Sequence, residues 1–238
     1  MSGIIRAARI DLVAYRRFVP LMAVVIACLS VIMGWQGPET AAGSSAFISV
    51  FALLIFSMNL SAQDDANGWS AYRLALPLSR RDVVLGRYAA IGLLVGVSMV
   101  VYVAGACVGL LLGGSLFDGA LAQSEGVATT WGFMLFGMGA ALALGSVFVG
   151  IIVPLVFRFG SERVMKFYPL IMIVMVLGPT LGLQAFGGDL IAMLESLFAA
   201  LTSPGVLAVG TVALFGAALL IAALSATVSL RLYRTRDL

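Results

Sequence analysis

The stretch QDDANGWSAYRLALPLSRRDVVLGRY, Gln63 to Tyr88, is the longest polar interruption in an otherwise apolar sequence. It holds Asp64, Asp65 and four of the fourteen basic residues, Arg73, Arg80, Arg81 and Arg87. Between two apolar segments, its charges and loop backbone cannot be satisfied inside hydrocarbon. It therefore lies in water on one side of a membrane, and the segments it joins are crossing helices. Asn67-Gly68 is a turn signal, and Pro77 disfavours helical geometry at Leu76, so Trp69 to Leu76 is at most a short helix between two breaks. Trp69, Tyr72 and Leu76 fall at helical spacing and give it one aromatic and apolar face. Ser79 followed by Asp82 reads as a capping box, starting a new helix near Arg80 that runs through Arg87 into the next span. The segment is either a docking element lying across the membrane surface or a solvated loop with a snorkelling Trp.

Composition agrees. Of 238 residues, 62% are hydrophobic and 11% charged, which marks an all-α integral membrane protein with no room for a large soluble domain. The net charge of +3 does not point to nucleic acid, because the basic residues sit in short runs flanking apolar spans, where they set topology. There is no histidine, which removes His-ligated metal sites and Ser-His or Cys-His pairs. Cys28 and Cys107 lie inside apolar runs and read as small buried hydrophobes.

Residues 1–17 read as an interfacial amphipathic helix, with Ile4, Ala8, Leu12, Tyr15 and Val19 on one side and Arg6, Arg9, Arg16 and Arg17 on the other. Six spans follow, at 18–35, 46–62, 89–112, 129–156, 168–186 and 204–230, each about long enough for a core of about 30 Å. Thr40-Ala41-Ala42 resembles a signal-peptide cleavage pattern, but the long basic lead and long apolar run favour a retained first span. All fourteen Lys and Arg, with six acidic residues, fall in the N-terminal lead, in 63–88, in 157–167 or in the tail. The loops 36–45, 113–128 and 187–203 hold only the other five acidic residues, Glu39, Asp118, Glu125, Asp189 and Glu195. By the positive-inside rule both termini are expected in the cytoplasm.

Small residues recur at spacing four: Gly92 and Gly96, then Gly105, Gly109 and Gly113, and in the fourth span Gly137, Ala141 and Gly145. They permit close helix approach, either within one subunit or between two. Pro179 is expected to kink the fifth span. The apolar segment within 187–203, bounded by Gly187-Gly188 and Pro204, is too short to cross and is expected to be an external re-entrant, lid or interfacial helix.

No span carries a charge near its middle, so Asn59, Tyr102, Thr180 and Gln184 are the polar candidates for a substrate path. Any uphill transport then draws its energy from outside the membrane. The chain has no GxxxxGK[ST] loop, no GxGD motif and no histidine, so neither catalytic residues nor a bound metal or nucleotide is expected.

The two basic loops resemble those of permease subunits of ABC-2-type ATP-binding-cassette transporters, in the compact six-span group whose ATPase is a separate chain. The matching features are Asp64 or Asp65 at the end of the second span, Trp69 and Tyr72, Leu76-Pro77-Leu78-Ser79-Arg80, and Arg87-Tyr88. A second match is Pro154-Leu155, then Arg158-Phe159-Gly160 and Glu162-Arg163. The resemblance implies one permease domain, 1–238, in a bacterial plasma membrane. The loop 63–88 would hold a coupling helix docking on cytoplasmic ATPase subunits through Trp69, Tyr72, Arg73, Pro77, Ser79, Arg80, Arg81 and Arg87. Arg158, Phe159, Gly160, Glu162 and Arg163 would form the second cytoplasmic loop. It further implies ATP and Mg on the ATPase, a second permease as homodimer or paralogous heterodimer, contact with membrane lipid and none with nucleic acid. Relatives handle peptides, antibiotics, lipids and polysaccharides, and the resemblance implies export of a cargo such as an amphipathic peptide, antibiotic or lipid. The alternative is a non-transporting immunity or assembly protein, which explains the spans but not the ordered loop motifs.

Overall fold

The computed structural model describes residues 3–66, 79–113, 124–159 and 203–234, with single positions at 164, 166 and 173. These form six helices and no strand: α1 (Gly3–Tyr15), α2 (Phe18–Trp35), α3 (Pro38–Ala66), α4 (Arg80–Leu112), α5 (Ser124–Phe159) and α6 (Pro204–Arg234). Five of the six, α2 to α6, are long and apolar enough to cross a membrane. The expected fifth span, 168–186, and the external segment 187–203 lie outside the described residues.

The expected loop 36–45 is replaced by a tighter turn. Gly37 takes a positive φ of 127°, a conformation glycine adopts freely, and Pro38 then opens α3 with Glu39 in its first turn. The second span thus begins eight residues earlier than its hydropathy suggests. At its other end α3 is described as far as Ala66, and the Asn67-Gly68 turn signal lies outside the described residues.

Packing sets the direction of each helix. Ser30 lies against Gly105 and Gly34 against Gly109, so α2 and α4 run the same way. Ser45 lies against Gly137 and Leu53 against Gly145, so α3 and α5 are parallel, and Leu207 against Gly132 with Ser225 against Gly150 makes α6 parallel to α5. Tyr88 Oη donates to Ser225 Oγ at 2.5 Å, and Ser225 Oγ donates to the Gly150 carbonyl at 3.0 Å. Ser229 Oγ lies 3.0 Å from the same phenol. The start of α4 is thereby joined to the ends of α5 and α6. Since Tyr15 packs on Phe56, α1 and the end of α3 lie there too. At this basic end Arg80, Arg81, Arg158 and Arg231 are exposed.

Most of the small-residue stripe is consumed within the chain. A Cβ on Gly34 would stand 2.5 Å from the Ala106 carbonyl, and one on Gly109 would collide with the Val31 carbonyl. On α5, Gly137 and Gly145 receive Ser45 and Leu53 of α3, and Ser45 Oγ donates to the Met134 carbonyl at 3.1 Å. Gly92 and Gly96 differ, because a Cβ at either would meet nothing within 4 Å.

Candidate functional site

The basic end is where the sequence puts its interaction residues, and it is built from the first turns of α4. Ser79 is extended (φ −72°, ψ 151°) and caps the helix: its Oγ accepts from the Asp82 amide at 3.1 Å, while the Asp82 carboxylate accepts from the Ser79 amide at 3.3 Å and hydroxyl at 2.7 Å. The reciprocal bonds satisfy donors the helix leaves open and place an acidic group at its positive end. The expected capping box and helix start are both observed. Arg80 and Arg81 project from the first turn and are exposed.

Arg87, grouped with them in the sequence, has a different environment. It lies two turns deeper with a residue exposure of 2%, and its Nε donates to Asp11 Oδ2 of α1 at 2.9 Å. Its guanidinium is turned inward, away from the exposed Arg80 and Arg81. Unpaired, either charge would be very costly at this depth, and the pair fixes how α1 lies on α4.

The face of α1 shifts accordingly. Hydrophobicity alone selects Ile4, Ala8, Leu12 and Tyr15, whereas the buried residues are Ala7, Asp11 and Tyr15. Ala7 sits over Gly86, where an added Cβ would be 2.6 Å from the Ala7 methyl, and Gly3 lies against the Asp82 carboxylate. Tyr15 is wholly buried, edge-on to Phe18 (5.2 Å) and Phe56 (5.9 Å). Burial pushes its phenol above the ordinary tyrosine range, and its hydroxyl has no hydrogen-bond partner among the described residues. The contact between Asp11 and Arg87 was missed from sequence. The signal was there in part: Asp11 is the one acid in a basic leading helix.

Trp69, Tyr72, Arg73 and Pro77 lie outside the described residues, as do Gly160, Glu162 and Arg163. In the second basic segment Pro154 is buried inside α5, which continues to Phe159. The Arg158 guanidinium lies 5.2 Å from the centre of the Phe159 ring, and both residues are exposed. Val164 is buried and Lys166 exposed.

Of the polar span residues, the two that are described, Tyr102 and Asn59, do not converge. Tyr102 is 1% exposed and donates to the Ala41 carbonyl, with Ser44 Oγ 2.8 Å from its oxygen. Asn59 donates to the Ile55 carbonyl at 3.0 Å. Ala41 and Asn59 are some 27 Å apart along α3 at about 1.5 Å per residue. Thr180 and Gln184 lie outside the described residues.

Between α3, α4, α5 and α6 there is instead an apolar cavity of about 260 Å³, lined by residues including Leu53, Gly92, Gly96, Ser146 and Phe215, with Tyr88 at its basic end. Ser146 Oγ donates to Leu142 and Tyr88 bonds to the α6 serines, so these hydroxyls are already engaged. The space suits hydrocarbon; Gly92 and Gly96 contribute to it by having no side chain.

No curated protein matches this chain. A family model described as ABC-2 family transporter protein does match, over residues 10–234, from within α1 to the last residue of α6. With its five apolar helices, the chain is a multi-pass membrane protein that belongs to the ABC-2 family of transporter proteins.

Proposed function

We propose that the chain is the permease subunit of an ATP-binding-cassette exporter, driven by a separate cytoplasmic ATPase and paired with a second permease, identical or paralogous. The observation that carries this reading is the family match across nearly the whole chain, 10–234. ATP and Mg belong to the ATPase in this reading, and the chain supplies the path and the docking surface.

The helix directions support six spans. Parallel α5 and α6 end together at the Tyr88 end, which is the arrangement that a further span between them requires. One crossing gives the six expected from sequence. The exposed Arg80, Arg81, Arg158 and Arg231 support a cytoplasmic assignment for this end, in a bacterial plasma membrane, with α1 on the same face. Docking is then assigned to Trp69, Tyr72, Arg73, Pro77, Ser79, Arg80 and Arg81 on the first loop, with Arg158, Phe159, Gly160, Glu162 and Arg163 forming the second cytoplasmic loop. Asn59, Tyr102, Thr180 and Gln184 are the polar candidates along the path, and the apolar cavity supports an amphipathic cargo such as a peptide, antibiotic or lipid.

The test is Trp69→Ala with Tyr72→Ala, which leaves every topology charge in place. Aromatic anchors commonly dominate interface energies. The double variant is expected to insert normally and to lose ATPase co-purification. Retention at the wild-type level would move docking elsewhere. A wild-type chain that retains no ATPase at all would favour the non-transporting immunity or assembly reading.

A further inference from the structure

The apolar cavity between α3, α4, α5 and α6 is not sealed. Gly92 and Gly96 of α4 and Leu219 of α6 line it and are themselves exposed, so it opens sideways between these two helices. Beyond the opening stand Leu93 and Val100 of α4 and Leu220 and Leu224 of α6, all exposed, on helices long and apolar enough to cross a membrane. The opening therefore faces hydrocarbon rather than water, and what enters comes from the bilayer.

The interior offers nothing to a polar ligand. Ser146 Oγ is engaged by the Leu142 carbonyl, and the Tyr88 phenol by Ser225 and Ser229. A dry apolar cavity of about 150 Å³ already admits a benzene-sized molecule, and one of about 260 Å³ has room for a longer piece of hydrocarbon. A partner helix, about 10 Å across, could cover the opening but not fill the space behind it.

Depth and charge narrow the occupant further. From Tyr88 to Met99 the lining follows α4 for about 16 Å, at about 1.5 Å per residue, which is about half of a hydrocarbon core of about 30 Å. The cavity thus lies within one leaflet, the one at the basic end. Two turns before Tyr88, on the same face of α4, Arg81 is exposed.

We propose that this cavity is a binding site for one acyl chain of an anionic phospholipid drawn from the leaflet at the basic end, with the lipid phosphate against Arg81. The chain enters between α4 and α6 and lies along Gly92 and Gly96, which leave room for it by lacking side chains. At headgroup level the guanidinium pairs with the phosphate. A mobile chain yields to one methyl group, so Gly92→Ala leaves the site intact, whereas larger side chains displace the lipid.

The experiment places the full chain in vesicles of phosphatidylethanolamine and phosphatidylglycerol, with a trace of phosphatidylglycerol carrying a diazirine midway along one acyl chain. After illumination, labelled residues are located by mass spectrometry. Labelling along 92–99 of α4 and 219–222 of α6 is expected to exceed several-fold that on the exposed residues Leu21, Val24 and Leu29 of α2, which merely face lipid. A phosphatidylcholine probe with the same chain is expected to label the cavity about fivefold less, the effect of one basic residue beside an anionic headgroup. Arg81→Gln is expected to bring the two probes level. Gly92→Leu with Gly96→Leu fills the space and is expected to abolish the excess while labelling of α2 is unchanged.

Cavity labelling no higher than that of α2 overturns the proposal, and this comparison needs only the wild-type chain. So does an excess that persists in the double Leu variant, or equal labelling by the two probes in the wild type. Disulfide formation between two copies carrying Gly96→Cys, in place of lipid labelling, puts a second chain on this face and overturns it as well. No ATPase enters these measurements, so their failure leaves the proposed transport function standing, and a chain that binds no ATPase leaves the lipid site standing.

Discussion

Tyr15 is the residue whose environment is hardest to account for by packing alone. Its ring fills the space between Phe18 and Phe56, yet its hydroxyl is buried with no hydrogen-bond partner among the described residues. An orphaned buried hydroxyl typically costs about 1–3 kcal/mol. Tyr15→Phe keeps the ring contacts and is expected to raise the thermal unfolding midpoint in detergent. A lowered midpoint would mean that the hydroxyl has a partner beyond these residues. Ser79 gives the opposite case: Ser79→Ala removes a cap acceptor and should cost about 1 kcal/mol in the same assay. The capping box was readable in the sequence because its two members are three residues apart and use only local geometry. The ion pair was not, because Asp11 and Arg87 are 76 residues apart and only the fold brings them together.

At the scale of the helices, one sequence pattern has two fates. Gly92, Gly96, Gly105 and Gly109 share a spacing of small residues on α4, which is legible, but spacing does not name the neighbour. In the structure Gly105 and Gly109 receive the backbone of α2, while Gly92 and Gly96 open on the cavity. The same substitution should therefore have opposite signs. At Gly109 an Ala methyl meets the Val31 carbonyl, which cannot rotate away, so α2 and α4 must part, at an overpacking cost of about 1–3 kcal/mol. At Gly92 the methyl meets nothing, and the helix gains up to about 1 kcal/mol in backbone propensity. Thermal unfolding of Gly109→Ala and Gly92→Ala is expected to move in opposite directions. Equal destabilisation would mean that the face at Gly92 is occupied in solution by a second chain. Spacing was equally silent about the turn at Gln36-Gly37: polar Glu39 and Thr40 weaken the hydropathy signal there, while Pro38 can begin a helix regardless.

At the scale of the whole molecule, charge and packing make independent statements about topology that can be set against each other. Charge places every Lys and Arg on one side. Packing, which knows nothing of the membrane, brings the start of α4 and the ends of α3, α5 and α6 to one end of the bundle, and there the exposed Arg80, Arg81, Arg158 and Arg231 lie. The agreement matters because neither route uses the other: segregation was legible from composition along the chain, whereas parallel α5 and α6 needed coordinates. Together they predict how single cysteines label in intact cells once Cys28 and Cys107 are replaced. Gln36 and Ser203 are exposed at the turns of the acidic end and should react with a membrane-impermeant maleimide from outside. Arg81 and Lys166, also exposed, should react only after the membrane is permeabilised. The pair Lys166 and Ser203 is the most informative, since one impermeant-reactive and one protected position require an odd number of crossings between them. If both label from the same side, the return crossing implied by parallel α5 and α6 does not exist, and the packing of α6 on α5 would be wrong however well the charges segregate.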